Sequence, residues 1–230
     1  EIHERLVGSE MCIRDRGVKI DFNKLGYDDP EVYKLIASGD CEGVFQLESN
    51  GMKQFMAKLK PDKLEEVIAG ISIFRPGPIQ FMDDYINGKK EPEKVKYAHP
   101  VLKDILGVTY GCIVYQEQVM QVFQSLAGYS LGKADMVRRA MSKKKVKDIE
   151  KERGAFIRGD ASRNISGCVA NGIPEDVAAS IYNEMYDFAN YAFNKAHSVC
   201  YAVIAYQTAW FKCYYPREYM AVSYTHLTLP

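Results

Sequence analysis

The stretch from Thr109 to Lys147, TYGCIVYQEQVMQVFQSLAGYSLGKADMVRRAMSKKKVK, combines an apolar helical pattern with a dense block of positive charge. From Lys133 to Arg158 there are ten Lys or Arg residues against four Asp or Glu, although the whole chain has a net charge of zero. Such a local excess of cations requires an anionic partner or extensive hydration. Four apolar side chains at helical spacing also predict an amphipathic helix over about 114–126: Val119, Met120, Phe123 and Leu126.

The remaining sequence predicts a mainly α, multi-helix fold with few short strands. Asp29-Pro30 predicts a helix start, because Asp caps helices well and Pro suits the first turn. Ser49 predicts a second start in the same way. Gly43–Leu47 is the candidate strand, and Asn87–Pro92 is interpreted as a polar linker. Further helices are expected at about 63–71, 100–106, 133–142, 146–158, 174–191 and 195–214.

Composition limits the classes of protein to which this chain can belong. Hydrophobic residues make up 47% of the 230 positions, which is enough for a real core. The longest apolar run, near Val199–Phe211, is too short to span a bilayer, so we expect a soluble, cytoplasmic protein without a membrane partner. The cysteines form no C-x-x-C pair and stand at no zinc-ligand spacing from histidine, which predicts free thiols and no metal site.

Both ends carry sequence of a different kind. Leu6–Arg16, LVGSEMCIRDR, reads as the in-frame translation of a sequencing-library adapter, and Val222–Pro230, VSYTHLTLP, as the opposite strand of the same adapter. We therefore interpret residues 1–16 and 222–230 as adapter-derived segments that flank a domain at 17–221, and we expect them to pack poorly. The alternative is that these are genuine amphipathic termini.

Arg138 and Arg139 are the first candidates for chemistry. They follow Asp135 by three and four residues, so this one carboxylate can bridge either guanidinium on a helix face. Three more cations follow within two turns: Lys143, Lys144 and Lys145. The cluster favours phosphate binding, because arginine makes bidentate contacts and lysine acts as a point charge. The alternatives are a solvated, ion-paired surface and lysines that complement the dipole of a helix C-terminus.

A second candidate group lies in YAFNKAHSVCY, residues 191–201. Asn194, Lys195 and His197 stand among aromatic residues that include Tyr201, a combination that can stack on bases and hydrogen-bond to them. For His197 the alternative is a structural histidine. Arg75, in FRPGP, either contacts nucleotide or template or ties its turn to a neighbouring carboxylate. Gln116 and Glu117 are interpreted first as polar groups in helix packing.

Five segments together resemble the fingers region of one family, in the same order along the chain. They are GVFQLESNGMKQFM, ISIFRPGP, TYGCIVYQEQVMQ, AGYSLGKADMVRRAMSKKK and YAFNKAHSVCYAVIAYQTAWFK. The family is that of the bacterial replicative DNA polymerase III alpha subunits, the C-family polymerases, and the similarity extends from about Gly17 to Val222. The resemblance implies a multi-helix fingers domain that takes part in template-directed addition of deoxynucleotides.

The resemblance also implies roles for single residues. Arg138, Arg139 and Lys143–Lys145 would face the triphosphate of the incoming dNTP. Arg75 is a further candidate for nucleotide binding, with its two alternative roles left open. Lys195 and His197 would also bind the nucleotide. Asn194 and Tyr201 would lie near the nascent base pair.

Magnesium belongs elsewhere in such an enzyme. In the family, Mg²⁺ is held by palm aspartates in motifs like PDFDVDF and K-x-DFLGL, and neither motif occurs in this chain. Asp21 matches a later family segment, and Asp28 and Asp29 are interpreted as a helix cap. We therefore expect no catalytic residue here and no activity of the fragment alone.

The implied partners are primer–template DNA and dNTPs. A sliding clamp and other replisome subunits would bind regions of the parent protein that this sequence does not contain. The alternative functions are a non-catalytic helical nucleic-acid-binding module, which the basic block would explain equally well, and a helical protein-interaction domain.

Overall fold

The computed structural model describes residues 2–142, 146–189 and 191–228. In these ranges the chain forms twelve α-helices and five short 3₁₀ turns, and the only β pairing consists of two isolated bridges. The prediction of a mainly α fold is confirmed. Gly43–Leu47, the candidate strand, forms turns instead, in which Gly43 (φ 75°) and Gln46 (φ 63°) adopt left-handed backbone conformations.

The chain divides into two compact units, a terminal unit (residues 1–74 and 196–230) and a central unit (residues 75–195). The first four helices are α1 (Ile2–Arg14), α2 (Pro30–Ser38), α3 (Asn50–Leu59) and α4 (Leu64–Ile73). The next six are α5 (Met82–Lys90), α6 (Val101–Leu106), α7 (Gln116–Ala127), α8 (Leu131–Ser142), α9 (Val146–Arg158) and α10 (Glu175–Ala189). The last two are α11 (Lys195–Tyr214) and α12 (Pro216–Thr228).

Two helix starts in the terminal unit follow the predicted caps. The Asp29 carboxylate accepts a hydrogen bond from the Glu31 amide at 3.0 Å, and Pro30 occupies the first turn of α2. The Ser49 hydroxyl accepts from the Met52 amide at 3.3 Å at the start of α3. Each cap satisfies one of the amide groups that have no partner within the first turn of a helix.

The turns at 43–47 are held by side chains of α11 and α12. The Phe45 amide donates to the Thr208 hydroxyl at 3.0 Å, and the Tyr219 hydroxyl donates to the Gly43 carbonyl at 2.5 Å. Buried backbone groups need partners, and here helix side chains supply them. With these bonds to helix side chains, the backbone of residues 43–47 needs no partner strand.

Helix α1 packs against other helices of the terminal unit. Ile13 is fully buried beside Phe211 and Tyr219, so the expectation that residues 1–16 pack poorly is wrong for this helix. The origin of the two end segments is a separate question about the nucleotide sequence. The boundaries at 17 and 221 therefore stay a prediction.

The core of the central unit is built around the ring of Phe123. Its centroid lies 5.1 Å from those of Tyr129 and Phe156 and 6.1 Å from that of Tyr182. Phe123 and Phe156 are fully buried, and Tyr182 is nearly so. Edge-to-face contacts of this kind add to the free energy of burial. The cluster joins α7, α9 and α10, which carry or flank the basic block.

Helix α5 was not predicted. It extends to Lys90, through most of the segment interpreted as a polar linker. Gly88 is buried in it, and a β-carbon at this position would lie 2.8 Å from the β-carbon of Tyr110. The glycine therefore serves a close approach between two segments. Among the described helices, none has the length and apolar character needed to span a membrane.

We expect Phe123→Ala to lower the free energy of unfolding by about 3–5 kcal/mol, because it removes a buried ring from the centre of the aromatic cluster. Chemical denaturation followed by circular dichroism measures this change. Met136→Ala is the matched control, since Met136 is exposed on α8 and its loss should cost about 0.5 kcal/mol or less. Equal effects of the two substitutions would contradict the assignment of the core.

Candidate nucleotide-binding site

Helix α8 presents two arginines that share one carboxylate. Arg138 bonds Asp135 Oδ1 through Nε at 3.2 Å and through a terminal nitrogen at 2.8 Å. Arg139 bonds Asp135 Oδ2 through Nε at 2.8 Å. Hydrogen bonding to Arg138, with the charges of both arginines, lowers the pKa of Asp135. The bridging predicted from the spacing is therefore present in the structure.

The two arginines differ in exposure. The side chain of Arg138 is 14% exposed, whereas that of Arg139 is 68% exposed. Two guanidinium groups around one carboxylate carry a net charge of +1, and Arg139 brings that charge to the surface. Arg139 is therefore placed to contact an anion from solvent, while Arg138 orients the shared carboxylate. Lys143, Lys144 and Lys145 lie outside the described residues.

Two other cations of the basic block stabilise the fold. Lys133 Nζ donates to the Arg163 carbonyl, and the Arg163 side chain pairs with Glu152 on α9. Arg158 pairs with Glu175 at 2.6 Å, which connects the end of α9 to the start of α10. These contacts account for part of the local excess of cations without any ligand.

Arg75 is tied to the segment before α11. Its guanidinium donates to the Tyr191 carbonyl at 2.8 Å and lies 4.2 Å from the centre of the Phe193 ring. Burial lowers the pKa of Arg75. Of the two predicted roles, the structure contains a tie between the FRPGP turn and its surroundings. The partners seen here are a carbonyl and an aromatic ring, whereas the sequence suggested a carboxylate.

The start of α7 holds the same segment through the backbone. The Phe193 amide donates to the Val114 carbonyl at 3.0 Å, and the Gln116 amide donates to the Phe193 carbonyl at 2.9 Å. Gln116 Nε2 also donates to the Ala192 carbonyl at 3.0 Å. These three bonds fix the backbone of residues 192–193 against α7. The side chain of Gln116 is thus a connector between distant segments and not a group in helix packing.

Glu117 acts on the first residue of α11. Both of its carboxylate oxygens lie 3.2 Å from the Lys195 amide nitrogen. This amide is one of those that a helix leaves without an internal partner, and a negative charge there also complements the helix dipole. The Lys195 ammonium lies 5.3 Å from the centre of the Tyr115 ring, within range of a cation–π contact. Lys195 is therefore held at both its backbone and its side chain.

Gln118 fixes the start of α7 itself and was missed by sequence reasoning. It is 3% exposed. Its carbonyl oxygen accepts from the amides of Val114 and Tyr115, each at 2.9 Å. Its amide nitrogen donates to the Thr109 hydroxyl at 2.8 Å. A Ser or Thr three residues before Gln118 would have formed a recognisable capping pattern, but Tyr115 occupies that position.

His197 and Tyr201 lie in the terminal unit, one turn apart on α11. Their ring centroids are 4.2 Å apart, and the Tyr201 ring packs at 5.1 Å from that of Phe45. His197 is exposed at the end of this row of three rings. Asn194 is also exposed and directly precedes α11 in the central unit. Among the predicted site residues, Arg138 and Arg139 thus share the Asp135 carboxylate. Arg75 contacts the segment that leads to Lys195.

The expectation that this chain holds no catalytic metal ion concerns its acidic residues, and it stays a prediction. No group of three or more His, Cys, Asp or Glu side chains in the described ranges could hold a metal ion. Asp21 lies 3.8 Å from Lys24, and Asp29 is occupied as the cap of α2 and accepts from the Tyr214 hydroxyl at 2.7 Å. Two-metal catalysis needs carboxylates that converge on ions about 4 Å apart.

A sequence profile of the bacterial DNA polymerase III alpha subunit finger domain matches residues 7–164. The chain belongs to this family. The matched range begins inside the segment interpreted as adapter-derived and includes the FRPGP turn, the start of α7 and both arginines of α8. The resemblance inferred from the motifs is therefore confirmed.

Three full-length relatives support the assignment to the polymerase III alpha family. DNA polymerase III subunit alpha of Pseudomonas aeruginosa is 47% identical over 215 residues, which cover 90% of this chain and 18% of that protein. The Thermus aquaticus subunit is 44% identical over 90% of this chain and 17% of its own length. The Staphylococcus aureus subunit is 41% identical over 96% of this chain and 20% of its own length. The chain thus spans 17–20% of the length of these relatives.

We expect Glu117→Ala to speed hydrogen exchange of the Lys195 amide by about 2–30-fold, because losing a helix-capping contact costs about 0.5–2 kcal/mol. Exchange measured by NMR reports on this single amide. Gln121→Ala is the matched control, since Gln121 lies on the exposed face of the same helix. An unchanged exchange rate in Glu117→Ala would show that the carboxylate does not hold the start of α11.

Proposed function

We propose that this polymerase III alpha finger segment binds the triphosphate of the incoming dNTP and contacts the nascent base pair during bacterial DNA replication in the cytoplasm. The observation that carries the proposal is the pair Arg138–Arg139 around the single carboxylate of Asp135. It leaves one positive charge, on a largely exposed guanidinium, within a strongly basic sequence. Charge-assisted bonds from arginine to phosphate are among the stronger hydrogen bonds in proteins.

Each residue has a distinct part in this proposal. Arg139 contacts the triphosphate directly, and Arg138 holds Asp135 so that Arg139 stays oriented. The run Lys143–Lys145 adds positive charge toward the phosphates.

Asn194 and three residues at the start of α11 supply a second set of contacts. Lys195 and His197 bind the nucleotide, and Asn194 and Tyr201 lie at the nascent base pair. For Arg75 we propose support of the 191–195 segment, since its guanidinium already bonds Tyr191 and packs on Phe193.

We propose that the Mg²⁺ ions of the parent enzyme bind to a part of the alpha subunit that lies outside this chain. The other proposed partners are primer–template DNA and, through regions beyond this chain, the sliding clamp and replisome subunits. A second candidate function is a non-catalytic helical module that binds nucleic acid. The same basic block would support it, with Lys143–Lys145 on the DNA backbone in place of the nucleotide.

In a full-length alpha subunit that carries this segment, Arg139→Ala should lower kcat/KM for the dNTP by about 10–150-fold. The reason is that a hydrogen bond to a charged group contributes about 1.5–3 kcal/mol. Steady-state primer extension measures the effect, and the affinity for primed DNA should change far less. Lys103→Ala, an exposed cation on α6, is the matched control and should leave kcat/KM unchanged. Unchanged nucleotide kinetics in Arg139→Ala would refute the triphosphate assignment.

The isolated 230-residue chain should add no nucleotide to a primed template at any Mg²⁺ concentration. Primer extension on a gel tests this, and any extension by the pure chain would return Asp21, Asp28 and Asp29 to consideration.

The salt dependence of DNA binding separates the two candidate functions. If Lys143–Lys145 contact DNA phosphates, replacing them should make the log–log salt slope of DNA binding shallower by about 0.9 per lost contact.

A further inference from the structure

The central unit contains a cavity that is lined by none of the candidate site residues described above. Its volume is about 550 Å³, and it lies between α5, residues 94–96, the turn at 110–113 and the C-terminal half of α10. Small-molecule sites in proteins have volumes of roughly 300–1,000 Å³. The cavity is therefore large enough for a small ligand, and all of its walls belong to one unit of the protein.

The lining of the cavity includes aromatic rings that are fixed by packing. The rings of Phe81 and Phe188 have centroids 5.0 Å apart, and Tyr110 packs edge-on against Tyr85 at 5.2 Å. Because a β-carbon on Gly88 would lie 2.8 Å from the carbonyl oxygen of Tyr110, helix α5 and the 110–113 turn are in close contact. Packing thus restricts these rings before any ligand binds, which reduces the entropy lost on binding.

The lining of the cavity also carries an excess of negative charge. Two lysines line it, and four carboxylates do so as well: Asp84, Glu91, Glu184 and Asp187. Glu91 pairs with Lys94, which leaves Lys96 as the remaining cation against three carboxylates. The interior of the cavity is thus negative on balance, and a ligand with phosphate groups would be repelled.

The Cys112 thiol reports the same electrostatic environment from within the cavity. Burial raises the pKa of Cys112 to about 12, and the charges of Asp84 and Glu184 add to the rise. Burial also raises the pKa of Glu184, although its side chain faces the open cavity. The charges of Asp84 and Glu184 that act on Cys112 disfavour a further anion here, and a cation would relieve their repulsion.

We propose that this cavity binds a small organic cation with a flat aromatic body, whose charged group faces Asp84, Glu184 and Asp187. The body lies against Phe81 and Phe188, where its apolar surface is removed from water. The cation offsets the repulsion among the three carboxylates. This site is separate from the proposed triphosphate contact, which requires a ligand of the opposite charge.

Benzamidine and benzamide provide a direct test, because the two molecules have nearly the same shape and only benzamidine is charged. Each is titrated into the ¹⁵N-labelled full chain at pH 8 and followed by NMR. Benzamidine should shift the amide signals of Cys112 and Glu184 with a Kd in the millimolar range or tighter, and benzamide should bind at least about tenfold more weakly. Equal binding of the two probes, or benzamidine shifts that lie elsewhere in the chain, would overturn the proposal.

A pair of variants on α10 tests the role of the carboxylates. Glu184→Gln keeps the shape of the side chain and should weaken benzamidine binding by about tenfold. Asp176→Asn removes a carboxylate from the same helix outside the cavity and should leave the Kd unchanged. If Glu184→Gln does not give a folded spectrum, Asp187→Asn replaces it with the same expected loss. Wild-type affinity in the folded variant would refute the proposed charge contact.

Discussion

The organisation of the candidate site depends on how the start of α7 satisfies the backbone of residues 191–195. This segment has irregular backbone before a long helix, so its amide and carbonyl groups need partners from elsewhere. Gln116 and Val114 bond the segment, and Glu117 accepts from the first amide of α11. One short stretch of sequence thus sets the position of another that lies more than seventy residues later. Gln118, buried beneath, holds that stretch in turn.

Arg75 and Lys195 show how the same segment uses its aromatic residues. Arg75 lies over Phe193, and Lys195 reaches the ring of Tyr115. In each case the charged group itself lies over an aromatic ring, within range of a favourable cation–π contact. Restricting these side chains before a ligand arrives reduces the entropy lost on binding. The packing therefore supports the proposed contacts even where a cation does not itself touch the nucleotide.

Local patterns in the sequence were sufficient for several features. Asp29 and Ser49 cap helices because their partners lie two or three residues away, and Asp135 reaches Arg138 and Arg139 within one turn. The same reasoning could not find the roles of Gln116 and Glu117, because their partners are 76 and 78 residues distant. Sequence spacing carries information only about neighbours on the same element.

The missed helix α5 has a related cause. The sequence Asn87-Gly88-Lys89-Lys90 is polar and contains a residue that disfavours helices, so the local signal indicates a linker. Gly88 is required by its contact with Tyr110, which is made only after the central unit has folded. Tertiary packing outweighed local propensity at this position. Gly88 and Tyr110 also both line the cavity, so their close approach contributes to its shape.

The zero net charge of the chain conceals two local fields of opposite sign in the central unit. Helix α8 exposes a guanidinium that one shared carboxylate does not fully neutralise, whereas the cavity beside α10 holds three carboxylates against one remaining lysine. Ligands respond to the local potential and not to the sum over the molecule. The two proposals of ligand binding follow this division, with the triphosphate assigned to α8 and the organic cation to the cavity. One small helical unit can carry both proposed sites because their charges have opposite signs and their residues do not overlap.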